Sequence, residues 1–233
     1  MRDATVTECV LLDAGGVLLD LDYAYLRRLI DARGVEVSEG DLSRFEAMAR
    51  KEVNDHVATG GSTAERWRDY FQSIIFAAGL REVDVQEAMI DSLWEAHRRF
   101  GLWTVAIPGA IDAVRRLHEA GIPVGVVSNA EGRVEQDLND AGFDGLLKTV
   151  VDSHVVGVAK PDPEIFRIAL QQMGANADST VFVGDVPAVD VAGARAAGLR
   201  AFLLDRHDLY PGSDAPRLGA IEQLPDRVLE DRS

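Results

Sequence analysis

A single aspartate closes the first apolar run of the chain, in the stretch VLLDAGGVLLD at residues 10–20. Asp13 follows three apolar residues, and the pair Gly15-Gly16 begins two positions after it. A carboxylate that a buried strand delivers onto a glycine turn is typical of a nucleophile or a metal ligand. A second carboxylate at position 15 would complete an acid–base pair, but glycine stands there. The stretch therefore predicts one reactive aspartate without a neighbouring proton donor.

Polar residues also follow three later apolar runs of the chain. They are Ser128 and Asn129 in IPVGVVSN, Lys160 in VGVAKPDPEIF, and Asp185 and Asp190 in GDVPAVD. In an open parallel sheet, ligands bind beyond the carboxyl ends of the strands, at the switch in strand order. Helix capping explains one polar residue at such a place, but four such places in one chain predict a shared pocket.

The elements that must position these residues alternate between strands and helices. Five apolar runs predict strands: CVLLD (9–13), IPVGVVSN (122–129), LKTVVDS (147–153), STVFVGD (179–185) and LRAFLLD (199–205). Helical patterns lie between and after them, at 109–120, 131–141, 162–174 and 188–197, with a short closing helix in IEQLPDRVLEDR. Nearly continuous apolar strands are buried on both faces, which indicates a parallel sheet. We therefore predict an α/β fold with a doubly wound parallel sheet and a Rossmann-like core.

A helical insertion follows the first strand. Four stretches carry apolar residues at helical spacing, represented by Leu26, Leu29 and Ile30, by Leu42, Phe45, Ala49 and Val53, by Trp67, Tyr70, Phe71 and Ile74, and by Val85, Met89, Leu93 and Ala96. Ser62 and Glu65 make a plausible capping box for the third helix. We predict a core domain of residues 1–21 and 103–233, with residues 22–102 as a separate helical domain.

The motifs together resemble those of the haloacid dehalogenase-like hydrolase superfamily, over nearly the whole chain. Asp13 with the following GGVLLD is similar to the first motif, which carries the nucleophile. Ser128 resembles the hydroxyl of the second motif, and Lys160 before PDPEIF resembles the third. Asp185 and Asp190 in VGDVPAVDVAGARAAG resemble the acidic pair of the fourth. The resemblance implies that residues 22–102 are a helical cap inserted into a phosphatase-type core.

The resemblance also implies a Mg²⁺ site. Asp13 would ligate the ion through one oxygen and attack through the other, and Asp185 would ligate directly. Asp190 would ligate the ion or orient a water bound to it, and the carbonyl oxygen of Gly15 is a further expected ligand. Oxygen ligands of this kind suit a hard cation such as Mg²⁺.

The expected reaction is hydrolysis of a phosphate monoester. Ser128 and Asn129 are expected to hold phosphoryl oxygens, and Lys160 supplies positive charge to the phosphate and to Asp13. Asp13, Ser128 and Lys160 are therefore the expected catalytic residues, and an aspartyl-phosphate on Asp13 is the expected intermediate. We expect the substrate to be a small phosphorylated metabolite, with a sugar phosphate as one option.

Gly15 stands where phosphatases of this superfamily usually carry a general acid–base aspartate, whose help is worth about 10²–10⁴-fold in rate. One interpretation is a phosphatase whose substrate leaves easily or which takes the proton from another group, with His154 as a candidate donor. Members that act on sugar phosphates carry similar Asp-x-Gly motifs, which favours this interpretation. A non-catalytic binding or regulatory protein on the same fold is the second.

Other reactions of the superfamily form the third interpretation. Haloacid dehalogenases also lack the second aspartate but need no metal, and the acidic pair Asp185 and Asp190 argues against that activity. Phosphonoacetaldehyde hydrolases use a cap lysine to form a Schiff base. The only lysine in residues 22–102 is Lys51, nine positions after Leu42. That spacing places it about 180° from the apolar stripe of its helix, on the solvent face.

Composition limits the partners. The chain has 233 residues, a formal net charge of −15 and a single cysteine, Cys9. Such an acidic surface repels nucleic acids and anionic membranes, and one cysteine excludes an intrachain disulfide, as in a reducing cytoplasm. The N-terminus lacks the pattern of a signal peptide, and no apolar run approaches the ~18 residues of a membrane span. We therefore expect a cytoplasmic protein without nucleic-acid or membrane partners; the sequence does not indicate its oligomeric state.

Overall fold

The computed structural model describes residues 6–56 and 63–230. The chain divides into two compact units. One is made of Met1–Asp20 and Thr104–Ser233, and the other of Leu21–Trp103. The capping box expected at Ser62 lies outside the described residues.

Strands and helices alternate along most of the chain, with four consecutive helices after the second strand. The described residues form eight strands: β1 (Cys9–Leu12), β2 (Leu19–Leu21), β3 (Trp103–Ala106), β4 (Val124–Ser128), β5 (Thr149–Asp152), β6 (Thr180–Gly184), β7 (Arg200–Leu204) and β8 (Arg217–Leu218). They also form ten α-helices: α1 (Tyr23–Asp31), α2 (Glu39–His56), α3 (Thr63–Ala77), α4 (Val83–Phe100), α5 (Ala110–Glu119), α6 (Val134–Leu138), α7 (Ser153–Val156), α8 (Pro163–Met173), α9 (Ala192–Ala196) and α10 (Leu224–Glu230). None of these helices combines the length and hydropathy needed to cross a bilayer.

The main sheet has six parallel strands in the order β5-β4-β1-β6-β7-β8. The predicted α/β fold with a doubly wound parallel sheet is confirmed, and so are its five predicted strands. The sixth strand, β8, was not predicted, because two residues are too short to show a periodic pattern. Strands β2 and β3 pair in a small sheet of their own.

Strand β1 lies at the centre of the sheet, between β4 and β6. Its four residues are all buried, as a strand with neighbours on both edges and helices on both faces requires. In the register of the sheet, Leu12 is level with Val126 of β4 and Val183 of β6. The residues that follow these three strands therefore emerge together at one edge of the sheet.

Two of the predicted helices contain wide turns. The segment predicted as helix 131–141 consists of α6 and a π-helical turn at Asn139–Phe143, in which Gly142 has a φ of 105°. The segment predicted at 188–197 begins with a π-helical turn at Pro187–Val191 and continues as α9. Such turns often occur at functional sites, and the second one carries Asp190.

The helical unit packs α1 to α4 around its own apolar core. One buried carboxylate, that of Glu46, lies within this unit. It accepts hydrogen bonds from the hydroxyls of Tyr23 and Tyr70 and forms an ion pair with Arg50. Burial alone would raise the pKa of Glu46, but Arg50 and the two hydroxyls hold it below its usual value. This cluster ties α1, α2 and α3 together.

Candidate active site

Asp13 directly follows β1, and the turn after it is closed by backbone hydrogen bonds. The Asp13 N–H donates to the carbonyl of Val183 at 2.9 Å, which continues the pairing of β1 with β6. The Ala14 N–H donates to Oδ1 of Asp13 at 2.7 Å. Gly16 has a φ of 78°, a left-handed conformation that glycine adopts without steric cost. The turn thereby fixes the Asp13 carboxylate at the edge of the sheet.

Lys160 joins two of the predicted acidic residues. Its Nζ lies 2.8 Å from Oδ1 of Asp13 and 2.8 Å from Oδ1 of Asp190. The side chains of Lys160 and Asp190 are each 1% exposed, and that of Asp13 is 13% exposed. Removing ions from water is costly, and a buried ammonium persists only where such paired charges offset that cost. The predicted first, third and fourth motifs therefore meet in one ion-paired cluster.

The second oxygen of Asp190 holds its own loop in place. Oδ2 accepts from the backbone N–H of Asp185 at 3.1 Å and from that of Val186 at 2.9 Å. Gly184 makes room for this contact, because a Cβ there would overlap the Asp190 side chain. The lysine and two backbone donors thus occupy both oxygens of Asp190.

A second glycine lets α9 approach the loop that carries Lys160. A Cβ at Gly193 would lie 2.7 Å from the ring of Phe166 and 2.9 Å from the carbonyl oxygen of Pro161. Real Cβ atoms do not make contacts that short, so only glycine fits at this position. The sequence predicted no role for Gly184 or Gly193, although both lie close to Asp190 along the chain.

Three carboxylates offer a cation site. Asp13, Asp185 and Asp190 each present an oxygen, and these oxygens lie within 4.8 Å of one another. The three carboxylates are balanced by only one ammonium, that of Lys160. The cluster therefore has a net charge of −2 when all four groups are ionised. A group of hard oxygen ligands with excess negative charge fits Mg²⁺.

The same imbalance appears in the pKa values of the cluster. Burial raises the pKa of Asp13 to about 7; Lys160 opposes this shift, while Asp190 and Asp185 add to it. Burial disfavours the Lys160 ammonium, but Asp13 and Asp190 together raise its pKa above the usual value. Lys160 therefore stays charged, and a proton competes with any cation for Asp13 near neutral pH.

Ser128 ends β4 and is buried, with 5% of its surface exposed. Its hydroxyl makes no hydrogen bond with any residue of 6–56 or 63–230. A hydroxyl without a protein partner can donate to or accept from a ligand, so this one is available to an oxygen of a ligand. Asn129, in contrast, is exposed and engaged: its side-chain amide bonds the backbone of Lys160 in both directions.

Gly15 lies in the turn after β1 and forms an isolated bridge with Leu19. His154, the candidate donor, is an exposed residue of α7. Its ring lies next to Gly132, at a distance of 3.1 Å from the position of a Cβ there. In the part of the chain that the structure describes, its side chain makes no hydrogen bond with Asp13.

Two more strand ends carry aspartates that bond backbone groups. Asp152, the last residue of β5, accepts from the N–H groups of Gly132 at 2.8 Å and His154 at 2.9 Å, which shapes the loop after β4. Asp205, after β7, accepts from Leu209 at 2.8 Å and Tyr210 at 2.9 Å. A polar residue at a strand end is thus a structural cap in these two places, and this role of Asp152 was not predicted from the sequence.

Comparisons with known proteins identify the family of the chain. The family model for haloacid dehalogenase-like hydrolases matches residues 7–198. The haloacid dehalogenase-like hydrolase domain-containing protein 3 of Mus musculus is 28% identical over 73% of this chain and 67% of that protein. A phosphoserine phosphatase of Thermus thermophilus is 31% identical over 60% of this chain and 57% of that protein.

Solved structures share the fold. YfnB, a magnesium-bound HAD hydrolase of Bacillus subtilis, aligns with a TM-score of 0.72 at 19% identity, over 96% of this chain and 99% of that chain. A dehalogenase with an intermediate complex aligns with a TM-score of 0.66 at 23% identity, over 96% of this chain and 97% of that chain. At such identities the likeness concerns the fold alone. The family model covers most of the chain, and this protein belongs to the haloacid dehalogenase-like hydrolase family.

Proposed function

We propose that the protein is a Mg²⁺-dependent phosphatase that acts on a small phosphorylated metabolite through an aspartyl-phosphate on Asp13. The observation that carries this proposal is the buried ion-paired cluster of Asp13, Lys160 and Asp190, with Asp185 beside it. The related phosphoserine phosphatase supports it. So does a ribulose-1,5-bisphosphate 5-phosphatase of Halopiger xanaduensis, 24% identical over 84% of this chain and 82% of that protein.

Asp13 and Asp185 are the residues best suited to hold the ion, with the Gly15 carbonyl as a further ligand. Asp190 supports them, because one of its oxygens is ion-paired with Lys160 and the other accepts from two backbone N–H groups. When bound, Mg²⁺ would neutralise charge on the phosphoryl oxygens and keep Asp13 ionised.

The proposed reaction has two steps, transfer of the phosphoryl group to Asp13 and then to water. A carboxylate oxygen of Asp13 attacks phosphorus, a P–O bond forms to the aspartate, and the P–O bond to the leaving alcohol breaks. A water molecule then attacks the phosphorus of the aspartyl-phosphate; it loses a proton to solvent, and inorganic phosphate and the free carboxylate result. Lys160 stabilises the negative charge of the phosphoryl group, and the Ser128 hydroxyl donates to one of its oxygens.

Gly15 leaves the first transfer without a carboxylic acid next to the nucleophile. The leaving oxygen must then take its proton from solvent or depart as an anion. This favours substrates with good leaving groups and lowers the rate with simple alcohols, by the ~10²–10⁴-fold that a positioned acid typically supplies. We further propose that residues 22–102 form the cap that selects the substrate.

The other activities of the family find less support in the site. A dehalogenase needs no metal, whereas three carboxylates here face one ammonium. A phosphonatase needs a cap lysine to form a Schiff base, and Lys51 of α2 is 43% exposed and paired with Asp55 at 2.9 Å. A non-catalytic protein would not need the nucleophile, hydroxyl, lysine and acidic pair that are all present.

A substrate screen tests the proposal. The protein is assayed for phosphate release from a broad panel of phosphate monoesters, with Mg²⁺ and with excess EDTA. We expect turnover with Mg²⁺ only, and loss of turnover in the Asp13→Asn variant. Phosphate release that persists undiminished in EDTA would contradict the proposal, and absence of turnover across the panel would favour the non-catalytic interpretation.

A further inference from the structure

We propose that Asn129 is a positioning residue that fixes Lys160, and that its side chain does not bind phosphate. The kinetic part of this inference rests on the proposed phosphatase function, whereas its structural part does not. It replaces the role expected from the position of Asn129 after β4, and it links the loop that follows β4 to the loop that carries the lysine.

The two residues form a reciprocal pair. The Nδ2 of Asn129 donates to the carbonyl oxygen of Lys160 at 2.9 Å, and the N–H of Lys160 donates to Oδ1 of Asn129 at 2.7 Å. The opposite orientation of the amide would set oxygen against oxygen and N–H against N–H, so the pairing requires this orientation. The amide thus pairs with the backbone N–H and C=O of Lys160, 31 positions away, as a neighbouring strand would in a β-sheet.

Lys160 needs such a partner because it lies outside the regular elements, in the loop between α7 and α8. Backbone N–H and C=O groups that have no ladder or helix partner must be satisfied in another way when they are buried. The residue is 5% exposed, and its Nζ must reach both Asp13 and Asp190 at 2.8 Å. A shift of the backbone at Lys160 would therefore break ion pairs at the far end of its side chain.

The pair also sets the distance between two groups proposed to act on the phosphoryl group. Asn129 directly follows Ser128, whose hydroxyl is available at the end of β4. Holding Asn129 against Lys160 fixes the lysine loop relative to that hydroxyl. Oδ1 and one of the two Nδ2 hydrogens are occupied in doing so, so the backbone of Lys160, and not a phosphate, sets the orientation of the amide.

The expected kinetic effect follows from two neutral hydrogen bonds. Each contributes a factor of about 2 to 10, and the exposed amide of Asn129 competes with water, so Asn129→Ala should lower kcat by about tenfold. KM and inhibition by inorganic phosphate should change by less than about twofold, because no phosphate contact is lost. In a Lys160→Met background, Asn129→Ala should have little further effect, since its role acts through the lysine.

A spectroscopic test avoids any dependence on turnover. The chain has only three lysines, Lys51, Lys148 and Lys160, so ¹⁵N-lysine labelling gives three ammonium signals. The Lys160 signal is identified by its absence in Lys160→Met. Because the ammonium is buried and doubly ion-paired, we expect it to be protected from exchange in the wild type and to shift and exchange faster in Asn129→Ala. Asn139→Ala removes an exposed asparagine without side-chain partners in the described residues and serves as the control.

The outcomes separate the two proposals. An unchanged Lys160 signal in Asn129→Ala would overturn the positioning role, and so would a rise in KM and in the phosphate inhibition constant with kcat unchanged. A shifted signal in a protein that hydrolyses no phosphate ester would support the positioning role and contradict the phosphatase. If Asn129→Ala does not fold, the isosteric Asn129→Asp, which loses the donor to the Lys160 carbonyl, must shift the same signal, and an unchanged signal there refutes the role.

Discussion

The side chain of Asp190 fills the space that any side chain at position 184 would need. A Cβ at Gly184, the last residue of β6, would overlap the Cβ and carboxylate of Asp190. The contact brings the Asp190 carboxylate onto the backbone N–H groups of Asp185 and Val186. The geometry of the acidic pair therefore depends on the absence of a side chain one residue before it.

Gly184→Ala should displace Asp190 and disorganise the ion-paired cluster. We expect a loss of about 1–3 kcal/mol in the free energy of unfolding, typical of forced overpacking, together with the loss of most activity. Thermal unfolding and the phosphatase assay measure the two effects. Gly212→Ala is the matched control, because a Cβ there meets nothing within 4 Å. Equal behaviour of the two variants would contradict the role of Gly184.

Asp13→Asn should change how stability depends on pH. The folded-state pKa of Asp13, about 7, is above its ordinary value of 3.8. The folded state therefore binds the proton more tightly, and the resulting stabilisation is present below about pH 4 and is lost as the pH rises to about 7. Asparagine does not titrate, so Asp13→Asn should gain stability relative to the metal-free wild type over this range.

Urea unfolding in EDTA at several pH values measures this difference. The advantage of Asp13→Asn should grow as the pH rises from about 4 to about 7 and level off above that. A stability difference between Asp13→Asn and the wild type that stays constant from pH 4 to pH 8 would show that Asp13 titrates normally.

Magnesium should bind more tightly as the pH rises through 7, because a proton and the cation compete for Asp13. Calorimetric titration with Mg²⁺ at pH 6 and pH 8 measures the affinities. Asp185→Asn should weaken binding by more than tenfold at both values. Equal affinities at the two pH values would contradict the competition at Asp13, and unchanged affinity in Asp185→Asn would remove that residue from the metal site.

Most of the fold could be predicted from the sequence. So could the residues that meet in the ion-paired cluster, Asp13, Lys160, Asp185 and Asp190. Nearly continuous apolar runs identified β1 and β4 to β7, because strands buried on both faces leave that pattern. The hydrogen bonds of Asn129 could not be predicted in the same way, because its partners are the backbone N–H and C=O of Lys160. Every residue type has such backbone groups, so no sequence pattern indicates this contact. The space required by Asp190 likewise became visible only with the position of Gly184.

The rate should depend steeply on the leaving group, because Gly15 provides no proton. Across a series of aryl phosphates, single-turnover phosphorylation should show a strongly negative Brønsted slope. Gly15→Asp should flatten the slope and help the poorest leaving groups most. Gly15 is not among the glycines with positive φ, so its backbone conformation is one that an aspartate can adopt. A shallow slope in the wild type would mean that another group donates the proton, and His154→Ala would be the next variant.

The direct test of the central claim is chemical capture of the intermediate on Asp13. The protein is mixed with a substrate from the screen in the presence of Mg²⁺, quenched in acid within milliseconds, digested and analysed by mass spectrometry. We predict that the peptide containing Asp13 gains one phosphoryl group during turnover, and that the Asp13→Asn protein shows neither the modification nor phosphate release. Phosphate release by the wild type with this peptide never modified, and retained in Asp13→Asn, would contradict the account.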